Sequence, residues 1–194
     1  MGDILSLLIK SAIVDNVVFI QYLAICPFIG MTSETDKAAG MGIATSFVIV
    51  LATAVTWPIY KLVMIPLHLE FLQTLMFILV IASLVQLVEF FLKKSIPSLY
   101  KSMGVYLALI TTNCAVLGVT INNIDYSYTY VESLFNALGT GIGFLVAMII
   151  FSGMRQKLEN NKKVPESFKG VPITLVSASI LSLAFMGFSG LVTL

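Results

Sequence analysis

Charge is what this chain has least of. Only 11% of its 194 residues are Asp, Glu, Lys or Arg, against about 25% in soluble domains, which excludes an ordinary water-soluble fold. Eleven basic and ten acidic residues leave a net charge of +1, with no basic face to offer a nucleic acid. The single histidine excludes a His-rich metal site, and two cysteines, Cys26 and Cys114, are too few for a disulfide-stapled secreted scaffold. What replaces charge is apolar: 58% hydrophobic residues, thirteen Phe, seven Tyr and a mean hydropathy of +1.00. Such composition is incompatible with disorder and reads as an all-α integral membrane protein.

A helix needs roughly 20 mostly apolar residues to cross a bilayer, where no water is at hand to pair backbone amides and carbonyls. Six stretches qualify, at 11–30, 39–60, 70–92, 102–121, 134–154 and 171–193. The connections between them are short and polar and leave no room for a soluble domain. Lys10 splits the first apolar stretch and Met1-Gly2-Asp3 lacks a basic flank, which argues against a signal peptide. Nine of the eleven basic residues fall in the first, third and fifth connections: Lys37, then Lys93, Lys94 and Lys101, then Arg155, Lys157, Lys162, Lys163 and Lys169. Only Lys10 and Lys61 lie on the other side. Because basic loop residues stay in the cytoplasm, both termini are expected on the outer face.

The chain also resembles itself. Cys26-Pro27-Phe28-Ile29-Gly30 in the first span answers Cys114-Ala115-Val116-Leu117-Gly118 in the fourth, sharing Cys-x-x-x-Gly. Gly40-Met41-Gly42 opening the second span answers Gly139-Thr140-Gly141 opening the fifth, and Leu79-Val80-Ile81-Ala82-Ser83 answers Leu175-Val176-Ser177-Ala178-Ser179. Three matches in one order predict two three-helix repeats, 1–95 and 96–194, entering the bilayer from opposite sides with a shared site near the midplane. For Gly40, Gly42, Gly139 and Gly141 the expected role is close helix packing.

Each repeat supplies one thiol at a matching place. Free cysteine in a membrane span is ordinarily a small buried hydrophobe, but here both cysteines sit beside residues that disturb a helix: Pro27, which lacks an amide, and Thr111-Thr112-Asn113, whose side chains can pair freed backbone groups. Read as straight helices at about 1.5 Å per residue, the spans place Cys26 roughly 8 Å to the cytoplasmic side of centre and Cys114 roughly 3 Å to the outer side. For both to serve one site the first and fourth helices must be interrupted near the cysteines, their tips meeting in midmembrane. Two thiols have three uses there. A catalytic disulfide favours a closely spaced Cys-x-x-Cys; zinc needs two further ligands, and His68 lies in an outer loop; a two-iron cluster needs four thiolates, two of them from a similarly built partner.

Ile25-Cys26-Pro27-Phe28-Ile29-Gly30, Leu109-Ile110-Thr111-Thr112-Asn113-Cys114-Ala115-Val116-Leu117-Gly118 and Ala184-Phe185-Met186-Gly187-Phe188-Ser189-Gly190-Leu191-Val192 closely resemble the A-subunit family of the Rnf complex, and the likeness runs over essentially the whole chain. The resemblance implies a six-span subunit of a bacterial or archaeal cell-membrane translocase that passes electrons between ferredoxin and NAD and couples this to Na⁺ or H⁺ movement. It implies a [2Fe–2S] cluster with two ligands from this chain, Cys26 and Cys114, and two from the homologous, oppositely oriented E subunit. It also implies B, C, D and G subunits as partners and no complete active site on this chain alone. Asp15-Asn16 stands where the family tends to show two amides, and Ala108 where proline is usual. The related D and E subunits of the Na⁺-pumping NADH:quinone oxidoreductase are the alternative assignment; a transporter whose cysteines merely pack, and a thiol oxidoreductase pairing Cys26 with Cys114, are the rivals from other classes.

The remaining polar residues read more simply. Glu89 and Lys93 are spaced as an interfacial i,i+4 pair. Asp15 and Asn16 are expected to be solvated at the outer end of the first span, and His68 to be a loop residue. Trp57, Tyr60 and Tyr100 fit interfacial anchoring. The segment from Arg155 to Lys169 is read as a cytoplasmic loop that fixes topology.

Overall fold

A backbone in apolar surroundings must pair its own amides and carbonyls, and this chain does so with helices. The computed structural model describes residues 2–67, 70–95, 109–159, 165 and 168–189, and there is no strand among them. Helix α1 (Gly2–Ile9) widens into a π turn at Lys10–Val14, closed by an Asp15 amide donating to the Lys10 carbonyl at 2.8 Å. Continuous helical pairing then stops until α2 (Ile25–Met31), with one isolated turn closed by the Ile20 amide on the Asn16 carbonyl at 2.9 Å. The long α3 (Thr35–Ile59) contains Pro58 and continues as a second π turn, Tyr60–Met64. Then follow α4 (Gln73–Ser95), α5 (Cys114–Asp125), α6 (Tyr130–Glu159) and α7 (Val171–Ser189).

Among the described residues three stretches, Thr35–Met64, Gln73–Phe90 and Tyr130–Leu158, are long and apolar enough to cross a membrane, and Val171–Gly187 is a shorter apolar helix. The expected first span, 11–30, is not one helix: it comprises the π turn, a ten-residue break and α2. The start of the expected fourth span and the boundary between 1–95 and 96–194 fall on residues 96–108, outside the described residues, as do His68 and Tyr100.

The core forms where α3 crosses α6. Dispersion rather than water exclusion holds helices together in lipid, so backbones must approach closely. Glycine permits this at three faces. A Cβ on Gly42 would lie 3.2 Å from the Leu145 Cα, and one on Gly141 would lie 2.9 Å from the Ser46 Cβ. Ser46 Oγ lies 2.7 Å from the Gly42 carbonyl and 2.8 Å from that of Gly141, its one proton shared across the crossing. Gly139 and Gly143, four residues apart and so on one face of α6, press on Leu8, Ser11 and Ala12 of α1 and its π turn. The packing role expected of Gly42, Gly139 and Gly141 is thus what the structure displays, and Gly143 joins them. An aromatic column, Phe185 stacked on Phe19, Phe19 edge-on to Phe28, and Phe28 stacked on Phe151 at 4.3 Å, binds α7, the first break, α2 and α6 into the same core. Outside it, Leu75, Leu79 and Leu87 on α4 and Ile180 and Leu183 on α7 are exposed, a surface suited to lipid or to another protein chain.

Candidate functional site

The first break, residues 15–24, is organised by Asn16. Its side-chain amide donates to the Gly143 carbonyl on α6 at 3.0 Å and to that of Ala12 at 3.2 Å, while its Oδ1 accepts from the amides of Val18 at 3.0 Å and Phe19 at 3.4 Å. Asn16 is 3% exposed. The expectation that it is solvated is therefore corrected: a turn that leaves the helix inside an apolar core must find polar partners locally, and Asn16 supplies them. Asp15, its neighbour, is exposed and 3.9 Å from Lys10. Further along, the Ser182 hydroxyl of α7 donates to the Phe19 carbonyl and the Leu23 amide to the Val17 carbonyl at 3.0 Å. Tyr22 and Ala24 take left-handed conformations, with φ of 56° and 62°, costing about 1–2 kcal/mol each for residues with a Cβ.

Cys26 follows in the first turn of α2, with Pro27 next to it at a position whose amide has no helical partner anyway, so the proline starts a helix rather than kinking one. The second break is shorter. Asn113 caps α5, its Oδ1 accepting from the Ala115 amide at 3.0 Å, an ordinary N-cap. Cys114 is the first residue of α5. Both cysteines therefore open helices, where unpaired amides and the helix dipole favour negative charge.

The two openings meet. The Ala24 amide donates to the Cys114 sulfur at 2.9 Å, and Cys26 is only two residues beyond Ala24, at most about 7 Å of chain. Gly118, four residues after Cys114, makes room for Leu23: a Cβ there would collide with the Leu23 side chain. Gly30, four residues after Cys26, has no such contact and is exposed. Both cysteines are free and exposed. No cluster of three or more His, Cys, Asp or Glu occurs among the described residues, so this donor set amounts to two soft sulfurs at an open surface. That set fits half the coordination of a [2Fe–2S] cluster and requires two more thiolates from outside the chain.

Arg155 supports the site from the other side. Its guanidinium donates to the Ile29 carbonyl at the end of α2 and to the Thr32 hydroxyl at 3.2 Å; Thr32, fully buried, in turn donates to the Phe28 carbonyl at 2.7 Å. Arg155 belongs to α6, which runs on to Glu159, so the expected loop begins later than sequence reading placed it. A positive planar fork at a helix C-terminus satisfies carbonyls and opposes their dipole. Of the other polar candidates, Trp57 donates its indole N–H to the Tyr128 carbonyl at 3.0 Å, with Lys61 4.6 Å above its ring, and Tyr60 packs edge-on to Phe77. Glu89 is half-buried, and the side chain of Lys93 lies outside the described residues. Beside the first break, Asp15, Gln21, Asn122, Tyr128 and Asn136 line a polar cleft of about 30 Å³, enough for a water or two. Burial, and then the neighbouring Tyr126, Asp15 and Glu132, push the Tyr128 phenol above its usual range.

Comparison with known proteins places the chain among membrane subunits. Residues 4–192 match the family model described as Rnf-Nqr subunit, membrane protein. The chain is 48% identical to the A subunit of the ion-translocating oxidoreductase complex of Syntrophotalea carbinolica over 192 residues, 99% of each chain. It is 48% identical to the A subunit of the Na(+)-translocating ferredoxin:NAD(+) oxidoreductase complex of Acetobacterium woodii over 185 residues, 95% of this chain and 96% of the relative. Against the A subunit of the ion-translocating oxidoreductase complex of Vibrio vulnificus the figure is 43% over 192 residues, 99% of this chain and all of the relative.

Proposed function

Because the chain belongs to the Rnf-Nqr family of membrane subunits, whose members named above are A subunits of ion-translocating oxidoreductase complexes, we propose that it carries electrons across the cell membrane. The carrier is a [2Fe–2S] cluster gripped by Cys26 and Cys114 and by two cysteines of the homologous E subunit. Electron transfer between ferredoxin and NAD, supported by the B, C, D and G subunits, is coupled to Na⁺ or H⁺ movement. The topology in this reading is six spans in two inverted repeats, with both termini outside.

The observation that carries the proposal is the contact between the two helix openings, Ala24 amide to Cys114 sulfur, which puts the cysteine-bearing segments together at an exposed surface. A resident cluster supplies a one-electron relay. The chain's own residues do the rest. Cys26 and Cys114 face outward, so that a partner can complete the ligand set and bury it. Asn16, Ser182 and Arg155 fix the first break and α2, which carry Cys26, to α6 and α7, so a change of charge beside Cys26 acts on contacts between the repeats.

Iron and acid-labile sulfide, measured in the anaerobically purified complex with and without Cys114→Ser, test the reading. Loss of one cluster's worth of both supports it. Unchanged content overturns it in favour of a transporter whose cysteines pack, and a thiol deficit without iron would mean a Cys26–Cys114 disulfide.

A further inference from the structure

The turn that brings α2 to the site holds two residues with a Cβ in the left-handed region. Tyr22 and Ala24 both adopt φ values near +60°, a region where glycine is the usual occupant. Ala24 is also completely buried. What the conformation achieves is the direction of one amide: the Ala24 N–H is aimed at the sulfur of Cys114, ninety residues away in sequence, at 2.9 Å. The turn is held there by bonds on both sides. Leu23 donates to the Val17 carbonyl and sits against Gly118 one turn after Cys114, and Phe28 donates back to the Ala24 carbonyl at 3.2 Å. Strain maintained by surrounding structure and spent on aiming a donor marks a tuned position.

We infer that the backbone amide of Ala24 is a positioning donor that makes the iron–sulfur pair at Cys114 easier to reduce. This rests on the cluster reading above. A hydrogen bond to a ligating sulfur stabilises whichever redox state carries more negative charge on that sulfur, which is the reduced one, and so raises the potential. Because the donor belongs to the first repeat and the sulfur to the second, the same bond makes the potential depend on how the two repeats are apposed.

The test exchanges the amide for an ester in the intact, anaerobically purified complex, with lactic acid in place of Ala24. The readout is a redox titration of the reduced cluster's paramagnetic resonance signal. The side chain is kept, and an ester oxygen that cannot donate replaces the N–H. At a fixed ambient potential the reduced fraction relative to oxidised is expected to fall about tenfold, equivalent to about 59 mV for a one-electron couple. A signal with unchanged potential overturns the inference while leaving the cluster reading intact. No signal in the unmodified complex overturns the reading and the inference with it. If the ester form does not assemble, the unmodified complex decides: with alanine labelled by ¹⁵N, a hyperfine coupling to the label that disappears in Ala24→Gly is expected, and its absence overturns the inference. Ala115, bonded to Cys114, keeps its label in Ala24→Gly, so only the coupling that this variant loses is assigned to Ala24.

Discussion

Asp15 and Asn16 are adjacent, both polar, and predicted here to behave oppositely. Asn16→Ala removes the acceptor of the Val18 and Phe19 amides and the donor to Gly143. Val17, Val18 and Phe19 are all at least 96% buried, so no water replaces the lost acceptor. One well-formed buried amide left unpaired costs about 1–3 kcal/mol, the longer Phe19 contact adds a fraction of that, and an interhelical bond in a membrane protein adds about 0.6 kcal/mol. The expected destabilisation is about 2–4 kcal/mol. Asp15→Asn removes one member of a long, exposed pair with Lys10 and is expected to change stability by less than about 0.5 kcal/mol. Thermal melting of the detergent-purified complex, followed together with retained iron, separates the two: Asn16→Ala lowers both the melting temperature and the iron content, and Asp15→Asn changes neither. Equal effects of the two substitutions, or a neutral Asn16→Ala, would refute the assignment of Asn16 as the organiser of the break.

Two glycines of α6 make a matched pair: Gly143→Ala would set a methyl 2.5 Å from the Ala12 carbonyl oxygen and 3.0 Å from its Cα, costing about 1–3 kcal/mol by overpacking, whereas Gly153→Ala, with open space around it, is expected to be neutral or stabilising by up to about 1 kcal/mol; melting temperatures of both variants check this. Gly118→Ala is expected to lose stability by collision with Leu23, and Leu23→Ala in the same chain to recover part of it; strictly additive losses in that double-mutant cycle would contradict the contact. Arg155→Ala is expected to lower iron retention by freeing the end of α2, with Arg155→Lys intermediate because a point charge cannot reach Ile29 and Thr32 together as the planar fork does; iron content per complex is the readout.

Much of this architecture was legible before any coordinates. Scarce charge and long apolar runs announced membrane helices, and Asn113 ahead of Cys114 is a recognisable helix start. The glycines at 139 and 141 announced a close crossing, and the same alternation extended to Gly143 would have exposed the contact with α1. The first break was harder to delimit. Residues 17–24 are apolar enough to continue a span and contain no glycine, so nothing local demands the left-handed turns at Tyr22 and Ala24. Those turns are imposed by partners more than a hundred residues distant, Gly143 on Asn16 and Ser182 on Phe19, a tertiary override of local preference. Arg155 was hidden for the opposite reason: as the first of a run of basic residues it resembled loop charge, whereas α6 continues past it and turns it toward α2.

The most direct measurement is the density between the sulfurs of Cys26 and Cys114 in a map of the anaerobically prepared complex. The account predicts two iron atoms there, bonded on this side by those two sulfurs and on the other by a pair from the homologous protein. Sulfurs surrounded only by hydrocarbon, or joined to each other, would contradict it.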